Sequence, residues 1–345
     1  MTAPLSSAAL AAISLDDKYQ LERGRVFMTA TQALVRLPML QQERDKAAGL
    51  NTAGFISGYR GSPLGGLDLA LWRAAEHLER HAIQFQPGIN EDLAVTAVWG
   101  SQQVTLNPAK VDGVFGMWYG KAPGVDRSVD ALKHGNTAGS SAQGGVLVVF
   151  GDDHGAKSST LPSQSEQVMA ACMIPVLYPA NVQEYLDFGL HGWAMSRWSG
   201  LWVGFKCVTD TVESSASVDI DTQRVHVQRP EDFVLPQGGL SLRWPDPPAD
   251  QEARLLNYRL AAALAYGRAN RLDRIVLDAP LPLLGIVCAG KAYLDVRDAL
   301  ELLGIDAPSA AALGLRLYKL GMVWPLEPEG LRTFAQGLKE ILVVE

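Results

Sequence analysis

The chain has 345 residues, 48% of them apolar and 19% charged, with a formal net charge of −7. That is enough to fill more than one core, and the acidic balance leaves no basic footprint for nucleic acid or an anionic membrane. No apolar run reaches the ~20 residues of a membrane span, and residues 1–20 lack the cationic lead and apolar core of a secretory signal.

Three scattered cysteines, Cys172, Cys207 and Cys288, suit buried thiols in a reducing cytoplasmic compartment. They cannot build an iron–sulfur cluster by themselves, since such clusters take about four thiolates.

Taken in order, Asp16 to Arg44 reads as largely helical, with Leu21, Val26, Phe27, Ala30 and Leu34 near one face and a break or kink at Pro38. Thr52 to Ser57 is a short strand that runs into the loop Gly58-Tyr59-Arg60-Gly61. Ser62-Pro63 then reads as the cap and first position of a helix ending near Arg80. On that helix His77 and His81 are spaced to share a metal, but a solvated face beside Glu76, Glu79 and Arg80 accounts for them more simply.

Ala82 to Gln86 is a strand, followed by a turn at Pro87-Gly88 and a helix capped by Asn90, with Leu93, Ala97, Val98, Ser101 and Val104 on its apolar face. Glu91 falls on the first turn of that helix, where a carboxylate either complements the helix dipole or reacts.

Asp112 to Trp118 is the next strand, with a loop from Gly120 to Arg127. Gly144 to Phe150 is an unbroken apolar run of the kind buried parallel strands show. A polar loop from Gly151 to Ser163 and a helix from Ser165 follow. Ile174–Tyr178 and Leu201–Val208 are strands flanking a helix from Val182 to Arg197. Repeated strand, loop and helix describe an α/β fold with a doubly wound parallel sheet, whose site lies at the carboxyl ends of the strands.

Beyond Val208, residues 218–229 read as an edge strand or arm, and 243–248 as a proline-rich linker. An Ala-rich helix (252–270) leads to a second, smaller α/β unit with strands at 284–289, 313–320 and 340–345. The division expected is 1–240, 241–272 and 273–345. The apolar strand at the end suggests a chain that continues in a longer polypeptide.

Several chemistries find no support. There is no phosphate loop, no G-x-S-x-G elbow and no H-E-x-x-H pattern. Gly151-Asp152-Asp153 with Asn181 lacks the second glycine of a G-D-G…N diphosphate motif, and Asn181 is better explained as a helix cap.

Several segments together nonetheless resemble one family in the right order. They are Gly58-Tyr59-Arg60-Gly61-Ser62-Pro63, Asn90-Glu91, Gly151 to Ser159, Gln164-Ser165-Glu166-Gln167, Tyr318 to Leu326 and Leu342-Val343-Val344-Glu345. They look like the N-terminal portion of an indolepyruvate ferredoxin oxidoreductase of the long fused form, in the 2-oxoacid:ferredoxin oxidoreductase family.

The resemblance implies a thiamine diphosphate enzyme that oxidatively decarboxylates an aryl pyruvate or similar 2-oxoacid to an acyl-CoA and passes electrons to ferredoxin. It implies a pyrimidine-binding first domain and a transketolase-C-terminal-like second one. Magnesium, 4Fe-4S clusters and CoA are expected on other domains or subunits, in a homo-oligomer, so the chain is not competent alone.

By the match to the family's Asn-Glu pair, Glu91 is the carboxyl that shares a proton with the cofactor's pyrimidine nitrogen, which burial favours. Gly58 and Tyr59 would line the cofactor. Ser62, Arg60, Lys121, His134, His154 and Lys157 are candidates to face the 2-oxoacid or CoA, each with an ordinary loop role as the alternative. Two other readings stand beside this one: the pyrimidine-binding subunit of a different thiamine enzyme, or a non-catalytic α/β binding subunit.

Overall fold

A computed structural model describes residues 13–155 and 161–345. Among the described residues, thirteen strands fall into three sheets. In chain order they are β1 (Arg23–Thr29), β2 (Thr52–Gly58), β3 (Ile83–Phe85), β4 (Gly113–Lys121), β5 (Val146–Asp152), β6 (Val176–Leu177), β7 (Val203–Val208), β8 (Ser215–Asp221), β9 (Arg274–Leu277), β10 (Leu284–Ala289), β11 (Leu315–Leu320), β12 (Met322–Trp324) and β13 (Glu340–Val344).

The principal sheet has the order β12-β6-β7-β5-β4-β2-β3, parallel except at β12. Its centre follows from β5, which is buried at every position. Leu147 and Val149 point into one apolar core, while Val146, Val148 and Phe150 point into another on the opposite face. A strand covered on both faces cannot alternate apolar and polar residues, so the sequence is a continuous apolar run. Helices Ala30–Ala47 and Val182–Ser199 belong to the first core; Glu91–Gln102, Val129–Ala138 and Ser165–Ala171 to the second. The sheet is doubly wound, as expected.

The first expected helix is largely present but interrupted: Asp17–Gln20 and Ala30–Ala47 are helical, and between them lies the strand β1, which pairs antiparallel with β8. Val26 and Met28 alternate inward against Val218 and Ile220, while Phe27 is left exposed. The β-branched and aromatic run Val26-Phe27-Met28-Thr29 has a period of two, and the partner strand decided the outcome. Thr29 then starts the long helix through a capping box with Gln32.

That helix is unbroken at Pro38 and continues to Ala47. An interior proline costs about 3 kcal/mol, but Leu34, Val35, Leu37 and Leu40 around it are buried, each contributing roughly 1.5–3 kcal/mol. Packing wins.

The segment 13–29 also changes the surroundings of the two histidines. His77 is buried against the Tyr19 ring, and His81 Nε2 lies 3.0 Å from Glu43. They are therefore packed rather than solvated. Among the described residues no group of three or more His, Cys, Asp or Glu could hold a metal ion.

Another buried histidine gives a pH prediction. His191 sits against Tyr266 with Nδ1 3.0 Å from the phenol oxygen, and burial lowers its pKa to about 4. The folded state refuses a proton that the unfolded chain takes up near pH 6.5, so this stabilisation is complete above pH 6.5 and lost as pH falls through about 4. In His191→Gln, the decline in unfolding free energy between pH 6.5 and 4 should be smaller by about 2 kcal/mol, read from urea melts at both ends.

The second sheet has the order β13-β10-β11-β9, with β9 antiparallel. Segment 273–345 supplies it, but also β12, which pairs with β6 at the edge of the principal sheet. The second sheet is joined to the helix Val182–Ser199, which packs on the principal sheet, by a buried ion pair between Lys319 of β11 and Glu184. Burial lowers the pKa of Lys319, whose ammonium also lies 4.6 Å from the Tyr293 ring centroid.

Other expectations hold with shifted ends. The Ala-rich helix is continuous over Pro248–Ala269, with a wider π-type turn at Leu255–Arg259. All three cysteines are buried and unbonded, and burial raises their pKa values. No helix among the described residues is long and apolar enough to cross a membrane.

Candidate cofactor and substrate site

The carboxyl ends of β2, β3, β4 and β5 open to one side of the parallel sheet, where α/β folds place their ligands. After β3 the chain turns at Pro87-Gly88, and Asn90 begins the Glu91–Gln102 helix by accepting the Leu93 N–H at 2.8 Å. The cap is where the sequence put it. The buried face is not: it comprises Glu91, Ala94, Val95, Val98 and Gln102, while Leu93 is half exposed. The expected face was chosen from Leu93 outward; the real one is turned so that small and β-branched residues meet β4.

That rotation buries Glu91, which is 5% exposed. Its backbone carbonyl accepts the indole N–H of Trp118 at 3.0 Å, which ties the helix start to β4. Its side chain lies against the helix Ala122–Arg127, where the sequence suggested loop. A Cβ on Gly124 would sit 2.5 Å from Glu91 Cγ, so only glycine lets the two pass. Glu91 Oε2 is buried without a hydrogen-bond donor, and Arg127 Nη1 stands 3.5 Å away. A buried carboxylate oxygen left without a donor costs about 1–3 kcal/mol or more, and such a group calls for a partner.

The neighbouring loop is held close. Gly58 closes β2 with its carbonyl accepting the Gly88 N–H at 2.8 Å, and Tyr59 N–H donates to Tyr119 O at 3.0 Å. A Cβ on Gly58 would meet Tyr119 O at 2.2 Å. Tyr119 itself is buried, donating its hydroxyl to Asp68 Oδ1 at 2.5 Å; burial first and this bond second raise its pKa. The stem of Lys121 passes over Gly61, and Arg60, exposed, bears electrostatically on Tyr119. Gly58, Tyr59, Arg60, Lys121 and Glu91 are thus gathered around the ends of β2 and β4.

Ser62 does not cap a helix. Residues 62–66 form turns and helix starts only at Leu67, after the pair Gly65-Gly66 that no helix favours. Its hydroxyl is released from the capping role the sequence suggested. His154 is exposed in the turn after β5, whose last residues abut Pro63 and Leu64. His134 is on a helix, not a strand-end loop; its ring faces Trp99, two turns along the helix from Glu91. Lys157 lies outside the described residues. The aromatic residues along these elements are packed separately: Trp72 faces Phe85, Trp99 faces His134, and Trp118 and Tyr119 are buried in opposite cores.

Sequence reasoning missed a polar cluster at the ends of β5 and β7. Asp152 accepts both the N–H and hydroxyl of Ser165, at 2.9 and 2.5 Å, and burial raises its pKa to about 6. Lys206 pairs with Glu166 at 2.7 Å beside it. Asn181 caps its helix by accepting the Glu184 N–H, so the G-D…N coincidence is structural.

A family model described as the indolepyruvate oxidoreductase domain matches residues 274–345. The indolepyruvate oxidoreductase subunit IorA of Methanothermobacter marburgensis is 25% identical over 344 residues, covering 96% of this chain and 48% of that protein. The subunit of the same name from Methanothermobacter thermautotrophicus is 25% identical over 334 residues, covering 94% and 47%. The chain is similar to indolepyruvate oxidoreductase subunits along most of its length. It spans about half the length of these curated relatives.

Among solved structures, the 2-oxoglutarate:ferredoxin oxidoreductase of Magnetococcus marinus superposes with a TM-score of 0.67 at 14% identity, over 92% of this chain and 57% of that one. That protein carries 2-oxoglutarate, coenzyme A and succinyl-CoA. A transketolase from Leishmania mexicana superposes at 0.50 and 11% identity, over 94% and 40%. The likeness to these two is one of fold: a parallel-sheet α/β domain followed by a smaller α/β unit.

Proposed function

We propose that the chain is the pyrimidine-binding part of a thiamine diphosphate-dependent 2-oxoacid:ferredoxin oxidoreductase acting on indolepyruvate or another aryl pyruvate. The observation that carries this reading is the donorless Oε2 of Glu91, buried at a helix N-terminus where the strands end. A ring nitrogen able to share a proton is the partner that atom lacks, so the residues present fit the pyrimidine end of the cofactor. The name shared by the curated relatives supports the substrate class.

In this reading residues 1–240 are the cofactor-binding domain, 241–272 a linker and helix, and 273–345 the second domain. Glu91 holds a proton at Oε2 against the pyrimidine nitrogen, and Gly58 and Tyr59 form the wall beside it. When bound, the cofactor supplies the carbon nucleophile that attacks the 2-keto group. Arg60, Lys121 and Ser62, with His154 of the turn after β5, receive the carboxylate of the 2-oxoacid or the polar parts of CoA, and Lys157 is proposed beside them from the sequence alone; His134 stands apart from them. Magnesium, 4Fe-4S clusters and CoA would be held by other domains or subunits of a homo-oligomeric cytoplasmic enzyme that reduces ferredoxin.

The test is to purify the complete enzyme and follow ferredoxin reduction with indolepyruvate and CoA, with and without thiamine diphosphate. Reduction that needs the cofactor is expected. Reduction indifferent to it, or none with any aryl pyruvate, would overturn the reading.

A further inference from the structure

Among the described residues, the cation that pairs with Glu91 Oε2 is Arg127, which does not belong to its helix. Arg127 closes the short helix Ala122–Arg127, whose Gly124 lies flat against the stem of Glu91. The glutamate side chain is 6% exposed and the arginine side chain 63% exposed. At 3.5 Å the pair is an ionic contact without a hydrogen bond, and Oε2 stays donorless. A fixed partner would be buried and would donate, as Arg197 does with two hydrogen bonds to the buried Asp45, at 2.6 and 2.7 Å. Arg127 instead approaches a buried carboxylate from solvent and remains free to leave.

We propose that Arg127 is a displaceable counter-ion for Glu91, covering the carboxylate while the pyrimidine site is vacant and giving way when a ring nitrogen takes its place. This rests on the assignment of Glu91 to the cofactor. Two groups then compete for one buried oxygen, and cofactor affinity is set partly by what Arg127 must give up. A largely exposed guanidinium gives up little: exposed pairs are worth at most about 1 kcal/mol, or roughly fivefold in affinity. The effect is also screened by salt.

The complete enzyme carrying Arg127→Gln should bind thiamine diphosphate about three- to fivefold more tightly than wild type in dilute buffer, by equilibrium titration with magnesium present. The ratio of the two dissociation constants should shrink towards one in strong salt, and Arg127→Lys should behave as wild type. A second readout separates this from a general packing role: Arg127→Gln should lower the melting temperature of the cofactor-free enzyme and leave that of the loaded enzyme unchanged. Equal or weaker cofactor binding by Arg127→Gln, or an equal loss of melting temperature in both forms, would sink this inference alone. Failure of the wild-type enzyme to bind the cofactor would sink the assignment of Glu91 and this inference with it.

Discussion

Glu91→Gln in the complete enzyme should slow exchange of the proton on the thiazolium carbon of bound thiamine diphosphate by about 10²–10⁴-fold, the usual worth of a positioned acid–base group. Glutamine has nearly the same shape, so it should still lie against Gly124 and leave the helix start tied to Trp118. It lacks the ability to share a proton at the oxygen facing the cofactor. Cofactor affinity should therefore change far less than the exchange rate. A purely structural Glu91 predicts something different: loss of its interaction with the helix terminus costs about 0.3–1 kcal/mol of stability, and exchange proceeds as before. Exchange measured by deuterium quench on loaded wild type and variant separates the two.

The largest expected stability effect lies at the junction of the sheets. Lys319→Met leaves Glu184 buried beside an apolar side chain, with Arg274 3.7 Å away as its remaining cation. Removing one partner of a buried pair costs about 3–5 kcal/mol. Glu184 also accepts the Ala180 N–H at 2.8 Å, so it cannot simply swing out to water without freeing that donor. Changing both residues, Lys319→Met with Glu184→Gln, should recover most of the loss, because a glutamine oxygen can still accept from Ala180. Urea unfolding of the full chain gives the comparison; a single-variant loss under 1 kcal/mol would show that the pair contributes little.

Much of the fold was readable where local pattern and tertiary setting agree. The apolar run of β5 announces a strand covered on both faces, and the caps at Asn90 and Asn181 are chemistry local to three residues. The reading failed where a distant partner decides. Nothing in Arg23–Thr29 states that Ser215–Asp221 will pair with it, and nothing around Pro38 states that helix Val182–Ser199 will bury its neighbours. The site shows the same split. The Asn-Glu pair marks Glu91 as a candidate in the sequence alone, but Arg127, thirty-six positions on, meets it only through the packing of Gly124. The expected apolar face of the Glu91 helix held at Val98 but erred at Leu93, which looks like a core residue, and only the sheet reveals that Ala94 and Val95 fit closer.

The strand β12 carries a consequence for how the protein can be handled. Proline content and the start of a new α/β pattern invite a cut near residue 272, yet Met322–Trp324 crosses back to pair with Val176–Leu177. Expressed without it, the large sheet would end on a two-residue border strand with open amide and carbonyl groups, a template for self-association. Met322, fully buried against Gly267, would leave a hole in the first core. The two units behave as neighbours in the gene but share a seam in space, and a working fragment has to be drawn along that seam.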